Sequence, residues 1–219
     1  IMEGMTWSQF VMSYSELSLF HYLENKPLKI LDRMLHNRIN SPLASSCGRL
    51  FDAAAAAMGI CTEEVLHEGQ AAMEMETLVD VDALLRENEG SAYPFSLSRI
   101  PNTDLPYVEP LAMWQALLDD LVINTPIPVM AARFHKGLAH AVCSMVRKCS
   151  QTPEGSLRYM TVVLSGGVFQ NQILFELVKS KLEREGFTVL SHQQVPMNDG
   201  GLALGQATIA AARALKSLC

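Results

Sequence analysis

Residues 159–191 read YMTVVLSGGVFQNQILFELVKSKLEREGFTVLS, and this stretch decides the fold class. The compact, β-branched run Tyr159–Leu164 predicts a buried strand that enters a tight turn at Ser165-Gly166-Gly167. Asn171–Glu185 has the apolar spacing of an amphipathic helix, and Phe187–Ser191 predicts a second strand. Strand, helix, strand is the half-pattern of an α/β domain with a parallel sheet.

The flanking sequence extends this pattern with helices on both sides. Val129–Cys149 predicts a long helix before the first strand, and Leu202–Leu215 an alanine-rich helix after the second. Two strands are too few for an independent sheet, because open edges and one bare face would remain. Further strands must come either from the poorly patterned segment Asn88–Leu121 or from polypeptide upstream, and we favour the upstream source.

The first half of the chain predicts mainly helices. The predicted helices are Thr6–Glu24, Pro27–Ile39, Arg49–Met58, Glu68–Leu85 and Leu111–Leu121. Between the last two, the prolines predict an irregular connection with one short strand near Tyr93–Leu97. We therefore divide the chain into a mainly helical region, 1–128, and an α-β-α-β-α unit, 129–219, as parts of one incomplete domain.

Composition excludes several classes of function. The chain has 219 residues and a net charge of −6, with no cluster of basic residues, so we expect no nucleic-acid partner. Its apolar runs are too short for a membrane span, and Ile1–Phe20 lacks the pattern of a signal peptide. The 5 cysteines are scattered without a Cys-x-x-Cys pair, which predicts reduced thiols and a cytoplasmic location.

The first candidate site is the run Leu164–Asn171 between the first strand and its helix. Gly166 and Gly167 would let backbone amides approach a bound group, and the following helix N-terminus favours an anion. Ser165 adds a hydroxyl, and Asn171 adds a donor. The alternative is an ordinary strand-to-helix turn with Asn171 as the helix cap.

The second candidate site is the run Pro196–Gly205 after the second strand. We expect it to open at the same end of the sheet as the first, where open α/β sheets bind their ligands. Asp199 is the sole carboxylate there, and its oxygens could bind a metal ion or orient a cation held by phosphate. The alternative role for Asp199 is the N-cap of the final helix.

A third, weaker candidate lies around Gly48 and Asp52. Gly48 permits close contact at a helix start, and Asp52 could accept hydrogen bonds from ribose hydroxyls. The alternative is a Ser46 cap with Asp52 in the first helical turn. Gly69, at the entry of the next predicted helix, also allows close approach. We expect the histidines, His192 among them, to be surface residues or hydrogen-bonded core residues rather than metal ligands.

Several runs together resemble one known family. SSCGRLFDAAAAAMG, HEGQAAME, AARFHKGLAHAV, LSGGVFQN and PMNDGGLALGQATIAAAR are similar, in this order, to the C-terminal region of the HypF family, carbamoyltransferases of hydrogenase maturation. The region also resembles, more distantly, the TsaD family. The resemblance implies the C-terminal part of an actin/sugar-kinase/heat-shock-ATPase-like domain, with a helix-rich insert and a βαβα unit.

The resemblance also implies a reaction and its participants. HypF-like proteins use ATP and carbamoyl phosphate to make carbamoyl adenylate, and they pass the carbamoyl group to the C-terminal cysteine of HypE. That group becomes the cyanide ligand of NiFe-hydrogenase.

Site residues follow from the same resemblance. Nucleotide-binding residues would be Gly48, Asp52, Gly69, Ser165, Gly166, Gly167 and Asn171. Asp199 would bind Mg²⁺ or another divalent metal.

The match covers only part of such a protein, and this limits what the chain does alone. The zinc modules, the adenylate-forming domain and the metal-binding histidine pair of the family have no counterpart here, so we expect no zinc and no independent catalysis. Two alternatives remain: a non-catalytic docking module for HypE or for the rest of its own chain, and a small-molecule kinase of the same superfamily.

Overall fold

The fold is that of a computed structural model, which describes residues 7–86, 89–103, 105–151 and 158–216. Thr6 and Asn88, which begin two of the predicted segments, lie outside these ranges. The chain divides into two compact units, Ile1–Ala141 and Val142–Cys219.

Helices dominate the described residues, with two pairs of short strands between them. The helices are α1 (Trp7–Tyr14), α2 (Ser18–Glu24), α3 (Leu28–His36), α4 (Cys47–Ala57), α5 (Gln70–Thr77), α6 (Val81–Arg86), α7 (Leu111–Val122), α8 (Ile127–Ser150), α9 (Gln172–Arg184) and α10 (Leu202–Lys216). The strands are β1 (Ser96–Arg99), β2 (Pro106–Glu109), β3 (Thr161–Leu164) and β4 (Thr188–Ser191). The predicted mixed α/β, helix-rich fold is confirmed.

Two of the predicted helices are each divided in two. The chain turns after Tyr14, and both Tyr14 and Phe20 enter one apolar cluster with Phe10 and Leu118. A single straight helix could not direct all these rings into the same cluster. The second break, between α5 and α6, occurs because the Asp80 carboxylate accepts the Ala83 N–H at 3.0 Å and starts a new helix.

Helix α4 ends as its sequence predicts. Gly59 has φ +85°, the left-handed conformation that favours glycine. The Gly59 N–H donates to Ala56 O at 3.1 Å and the Ile60 N–H to Ala55 O at 2.8 Å. This pair of bonds is a Schellman motif, which satisfies the last carbonyls of the helix.

The first part of α8 forms the core of the first unit. Its buried residues are Met130, Ala131, Ala132, Phe134, His135, Lys136, Gly137, Leu138, Ala139 and Ala141. Arg133 on the same helix donates to both oxygens of buried Asp120, at 2.7 and 2.8 Å. The hydroxyls of Tyr93 and Thr125 donate to the same carboxylate, so its buried charge is paired and hydrogen-bonded.

Strands β1 and β2 form an antiparallel hairpin in the segment that predicts an irregular connection. The predicted strand near Tyr93–Leu97 corresponds to β1, whereas β2, which begins at Pro106, was missed. The hairpin is a sheet of its own and adds no strand to the second pair. Among the described residues, the middle of the chain therefore does not complete the β3–β4 sheet, and an upstream source for further strands stays a prediction.

The second unit contains a parallel pair, β3 and β4, in the register Leu164↔Ser191. One side of the pair faces inward through Leu164, together with α9 residues Leu174, Val178 and Leu182. The other side is open, since Val163 is 63% exposed and Leu190 50% exposed.

Helix α10 has no buried residue, and Leu204 and Ile209 on it are more than half exposed. The described residues of this unit thus leave apolar surface uncovered on both the sheet and the last helix. No helix in the described ranges is long and apolar enough to cross a membrane.

Candidate functional site

The two predicted loops of the second unit meet at one end of the β3–β4 sheet. Because the strands are parallel, the chain leaves both at the same edge, as the sequence predicts. The Gly166 N–H donates to Met197 O at 2.8 Å, which joins the first loop to the second. Ser165 Oγ and His192 Nε2 lie 3.0 Å apart and form a second connection between the strand ends.

The glycines of the first loop have different roles. Gly166 adopts φ +112° and ψ 152°, a conformation that side chains strongly disfavour. A β-carbon on Gly167 would lie 3.8 Å from the Asn198 Cβ, so any larger side chain would enter the space between the loops. The Gly166 amide is already bonded to Met197, so it does not serve a ligand in this arrangement.

Asn171 is the N-cap of α9. Its Oδ1 accepts the Leu174 N–H at 2.8 Å, and the residue is buried. A short 3₁₀ helix, Gly167–Gln170, precedes it. The capping role, one of the two alternatives from the sequence, is therefore present, and nucleotide contact by Asn171 stays a prediction.

Asp199 is exposed and does not cap the final helix. It is the first residue of a 3₁₀ turn, Asp199–Gly201, whose cap is Asn198: the Asn198 Oδ1 accepts the Gly200 N–H at 3.0 Å. The turn is tight, since a β-carbon on Gly201 would lie 2.7 Å from Pro196 O. Asp199 is thus held at the loop surface, beside the first loop, with its carboxylate available to a cation.

Gly48 and Asp52 lie on α4 in the first unit. Ser46 is the N-cap of this helix and accepts the Arg49 N–H at 3.3 Å, as the alternative interpretation predicts. Asp52 pairs with Arg49 at 3.6 Å on the surface, and this exposed pair contributes little to stability. Neither contact blocks the Asp52 carboxylate from a ligand.

Gly69 opens α5 with φ +78°, a left-handed conformation that suits glycine. The Glu74 carboxylate on α5 accepts hydrogen bonds from Gln70 and from the Cys61 thiol, and together these lower the pKa of Glu74. The bond to Glu74 raises the pKa of Cys61, with burial and the charges of Glu74 and Asp52 adding to it. Asp52 and Glu74 therefore act on the same thiol.

Two side chains near the predicted residues were not singled out from the sequence. No role was predicted for Glu74, although it follows Gln70 by four residues and so lies beside it on α5. His192 was treated as isolated. It is the first residue after β4, as Ser165 is the first after β3, and parallel register places such residues opposite each other.

An apolar cavity of about 260 Å³ lies elsewhere in the first unit. Its walls come from α1, α2, α4 and α7 and include Phe10, Tyr22, Ala56 and Trp114. None of the predicted site residues lines it. With almost no polar surface, it is unsuited to a nucleotide, whose phosphates need donors and cations.

The thiols and histidines of the described residues give no metal centre. No group of three or more His, Cys, Asp and Glu side chains in these residues is arranged to hold an ion. Burial raises the pKa values of Cys47 and Cys143 to about 11, so both are protonated thiols at neutral pH. A metal ion bound at Asp199 would therefore need further ligands from outside these residues.

Residues 4–206 match the family model described as the carbamoyltransferase Kae1-like domain, second subdomain. Among curated proteins, the carbamoyltransferase HypF of Rhodobacter capsulatus is 34% identical over 187 residues, or 85% of this chain and 22% of that protein. HypF2 of Cupriavidus necator is 36% identical over 202 residues, or 84% of this chain and 24% of that protein.

A solved structure gives the same relationship. The crystal structure of full-length HypF in its phosphate- and nucleotide-bound form superposes with a TM-score of 0.76 at 32% identity. It covers 91% of this chain, which corresponds to 24% of that protein. The chain thus spans about a quarter or less of the length of these relatives.

Proposed function

This chain belongs to the HypF family of carbamoyltransferases, and on that premise we propose that it forms the nucleotide-binding part of an ATP-dependent carbamoyltransferase of hydrogenase maturation. The observation that carries the proposal is the meeting of two loops at one end of a parallel sheet, joined through Gly166 and Met197. The wider actin/sugar-kinase/heat-shock-ATPase-like fold and a cytoplasmic location are part of the same proposal.

The second unit would bind the phosphate end of the nucleotide. The Ser165 hydroxyl and the backbone around Gly167 offer donors beside the N-terminus of α9, which Asn171 caps, and an anion is favoured there. One structural relative, full-length HypF, was crystallised in a phosphate- and nucleotide-bound form, which is consistent with a site of this chemistry.

Asp199 would hold Mg²⁺ or another divalent metal together with phosphate oxygens and water. A single exposed carboxylate fits this role, because Mg²⁺ commonly takes one or two carboxylates and completes its shell with phosphates and waters. When bound, the cation would neutralise charge on the phosphates. We propose no role for zinc in the described residues.

The first unit would contact the nucleoside through Gly48, Asp52 and Gly69. Asp52 offers a carboxylate for ribose hydroxyls. Glu74 adds a second carboxylate, since both it and Asp52 act on the Cys61 thiol. Gly69, left-handed and with open space around it, permits close approach at the start of α5.

The whole protein would make carbamoyl adenylate from carbamoyl phosphate and ATP, with one water consumed and phosphate and pyrophosphate released. The thiolate of the C-terminal cysteine of a HypE-like acceptor would then attack the carbamoyl carbon. A carbon–sulfur bond forms, the carbon–oxygen bond to AMP breaks, and AMP leaves with the electron pair. This chain would orient the nucleotide, and the remaining groups would come from the other parts of a full-length protein.

A second function, docking a HypE-like protein or the rest of its own polypeptide, is favoured by one observation. Val163, Leu190 and the apolar residues of α10 are exposed on the second unit. Such a module would bind its partner whether or not nucleotide is present. A small-molecule kinase of the same superfamily, the other alternative from the sequence, is favoured by no specific observation in the described residues.

The test is calorimetric titration with ATP and Mg²⁺ of two proteins. One is this chain, and the other is a hybrid in which it replaces the matching segment of Rhodobacter capsulatus HypF. We expect weak binding by the chain, tighter binding by the hybrid, and carbamoyl transfer only by the hybrid. Asp199→Asn should abolish transfer and Gly167→Val should abolish binding, whereas Asp32→Asn, on exposed α3, should change neither.

If a correctly folded hybrid binds no ATP, the proposal is wrong. If the isolated chain binds as tightly as the hybrid, the site is complete without the upstream residues, and our account of a partial site fails. The docking function would be established instead if the hybrid transfers no carbamoyl group and binds its partner equally well with and without nucleotide.

A further inference from the structure

His192 is the one imidazole that contacts the two-loop site among the described residues. The register Leu164↔Ser191 continues by one residue to Ser165 and His192, which brings these two side chains together. The His192 Nε2 is 3.0 Å from Ser165 Oγ, and His192 is half-buried whereas Ser165 is exposed. The hydroxyl therefore faces solvent on one side and the ring on the other.

A serine hydroxyl carries one hydrogen and two lone pairs. If His192 Nε2 is unprotonated, Ser165 donates its hydrogen to the ring and has only lone pairs left for a ligand. If Nε2 carries a hydrogen, the ring donates to Ser165 Oγ, and the hydroxyl hydrogen is free. An anionic oxygen can only accept, so it can bind Ser165 only in the second state.

The neighbouring amide increases the importance of this hydroxyl. The Gly166 N–H, which would be the obvious backbone donor at this point, is bonded to Met197 O at 2.8 Å. At this position of the loop, the Ser165 hydroxyl is then the group that can donate to a phosphate oxygen. Its orientation depends on the atom that His192 presents to it.

We propose that His192 is a positioning residue of the nucleotide site: its Nε2–H donates to Ser165 Oγ and directs the Ser165 hydroxyl hydrogen toward a phosphate oxygen. This role rests on the proposed function, because it assumes that the first loop receives the phosphate end of a nucleotide. The neutral ring with hydrogen on Nε2 is sufficient, and no proton is transferred to the ligand.

The ring state can be measured directly. In the ¹⁵N-labelled 219-residue chain, the nitrogen shifts of His192 distinguish a hydrogen on Nε2 from one on Nδ1. We expect ATP with Mg²⁺, and separately inorganic phosphate, to shift the ring toward the Nε2–H state. A residue that only supports the fold would show no such change. His36, exposed on α3, is the control ring and should not respond.

Variants test the coupling between the two side chains. His192→Phe and Ser165→Ala should each weaken ATP binding about tenfold, since a hydrogen bond to a charged group is lost. The double variant should be little weaker than either single one, because both remove the same bond. His192→Gln, whose amide can donate to Ser165 Oγ, should stay within about threefold of the original protein. His36→Phe should leave affinity and thermal stability unchanged.

The outcomes separate this inference from the proposed function. Suppose that ATP binds. If the losses of affinity add up in the double variant, or if the His192 ring does not respond, the positioning role is wrong and the proposed function stands. A phosphate-dependent shift of the ring without ATP binding supports the positioning role and contradicts the nucleotide function. If neither ATP nor phosphate changes the His192 signals, the positioning role is wrong whatever calorimetry gives.

Discussion

Helices α8 and α10 were both predicted from the sequence, yet their surroundings differ. Nearly every residue of 130–141 in α8 is buried, whereas none of α10 is. Gly137 and Gly205 show the difference at single positions. A β-carbon on Gly137 would lie 2.1 Å from Tyr93 O, whereas one on Gly205 would meet nothing within 4 Å.

The comparison shows that periodicity predicts a helix but not what covers it. The first unit covers the part of α8 up to Ala141 with its own chain and pairs buried Asp120 with Arg133. The second unit leaves α10 and one side of the β3–β4 sheet exposed among its described residues. The substitutions below either remove contacts that hold α8 in place or compare α8 with α10. They run from the largest expected effect to the smallest.

Removing the carboxylate of Asp120 should have the largest effect. Arg133, Tyr93 and Thr125 all donate to it, so Asp120→Ala takes away the charge that pairs Arg133 of α8. Breaking a buried ion pair from one side costs about 3–5 kcal/mol. Urea unfolding should show this loss, whereas Asp119→Ala, at the exposed neighbouring position, should cost under about 1 kcal/mol. Equal losses would show that the network contributes little.

Buried His135 should make the first unit sensitive to acid. Burial lowers the pKa of His135 from 6.5 to about 4, although its bond to Ala131 O acts in the opposite direction. Because the folded pKa is the lower one, the unfolded chain takes up the proton first. Stability is therefore unaffected above pH 6.5 and falls between pH 6.5 and 4, by about 3 kcal/mol in all.

Unfolding midpoints in urea, measured across that pH range, check this expectation. His135→Gln removes the titrating group, so its stability should depend less on pH than that of the original chain, even though it is less stable overall. Parallel pH profiles for the two proteins would show that other groups cause the acid sensitivity.

One substitution at two glycines contrasts the helices directly. Gly137→Ala should destabilise the chain by about 1–3 kcal/mol, because the new methyl meets the Tyr93 backbone. Gly205→Ala should stabilise α10 by up to about 1 kcal/mol through helix propensity alone. Thermal unfolding of both variants measures the sign of each change in stability. A destabilising Gly205→Ala would indicate that α10 is packed against a surface that contacts position 205.

Much of the second unit could be predicted from local signals. Asn171 and Gly186 mark the two ends of α9, and the strand runs lie within a residue or two of β3 and β4. The meeting of the two loops followed from parallel pairing alone. These predictions succeeded because caps, glycines and β-branched runs act over a few residues.

The features that were not predicted depend on contacts between residues distant in the sequence. Strand β2 was missed because Pro101 and Pro106 suppress a strand pattern, although Pro106 is tolerated at the start of β2. The break before α6 was not predicted, because the apolar pattern continues across it. The break depends on the Asp80 cap. Contact between Ser165 and His192 required the register of β3 and β4, which the sequence does not state.

Hydrogen exchange with and without ATP and Mg²⁺ tests most directly whether the two strand-end loops form the nucleotide site. We predict slower exchange in residues 165–171 and 196–201 of this chain at millimolar ATP, with no change in α3. Protection in neither loop, or equal protection in α3, would contradict the account.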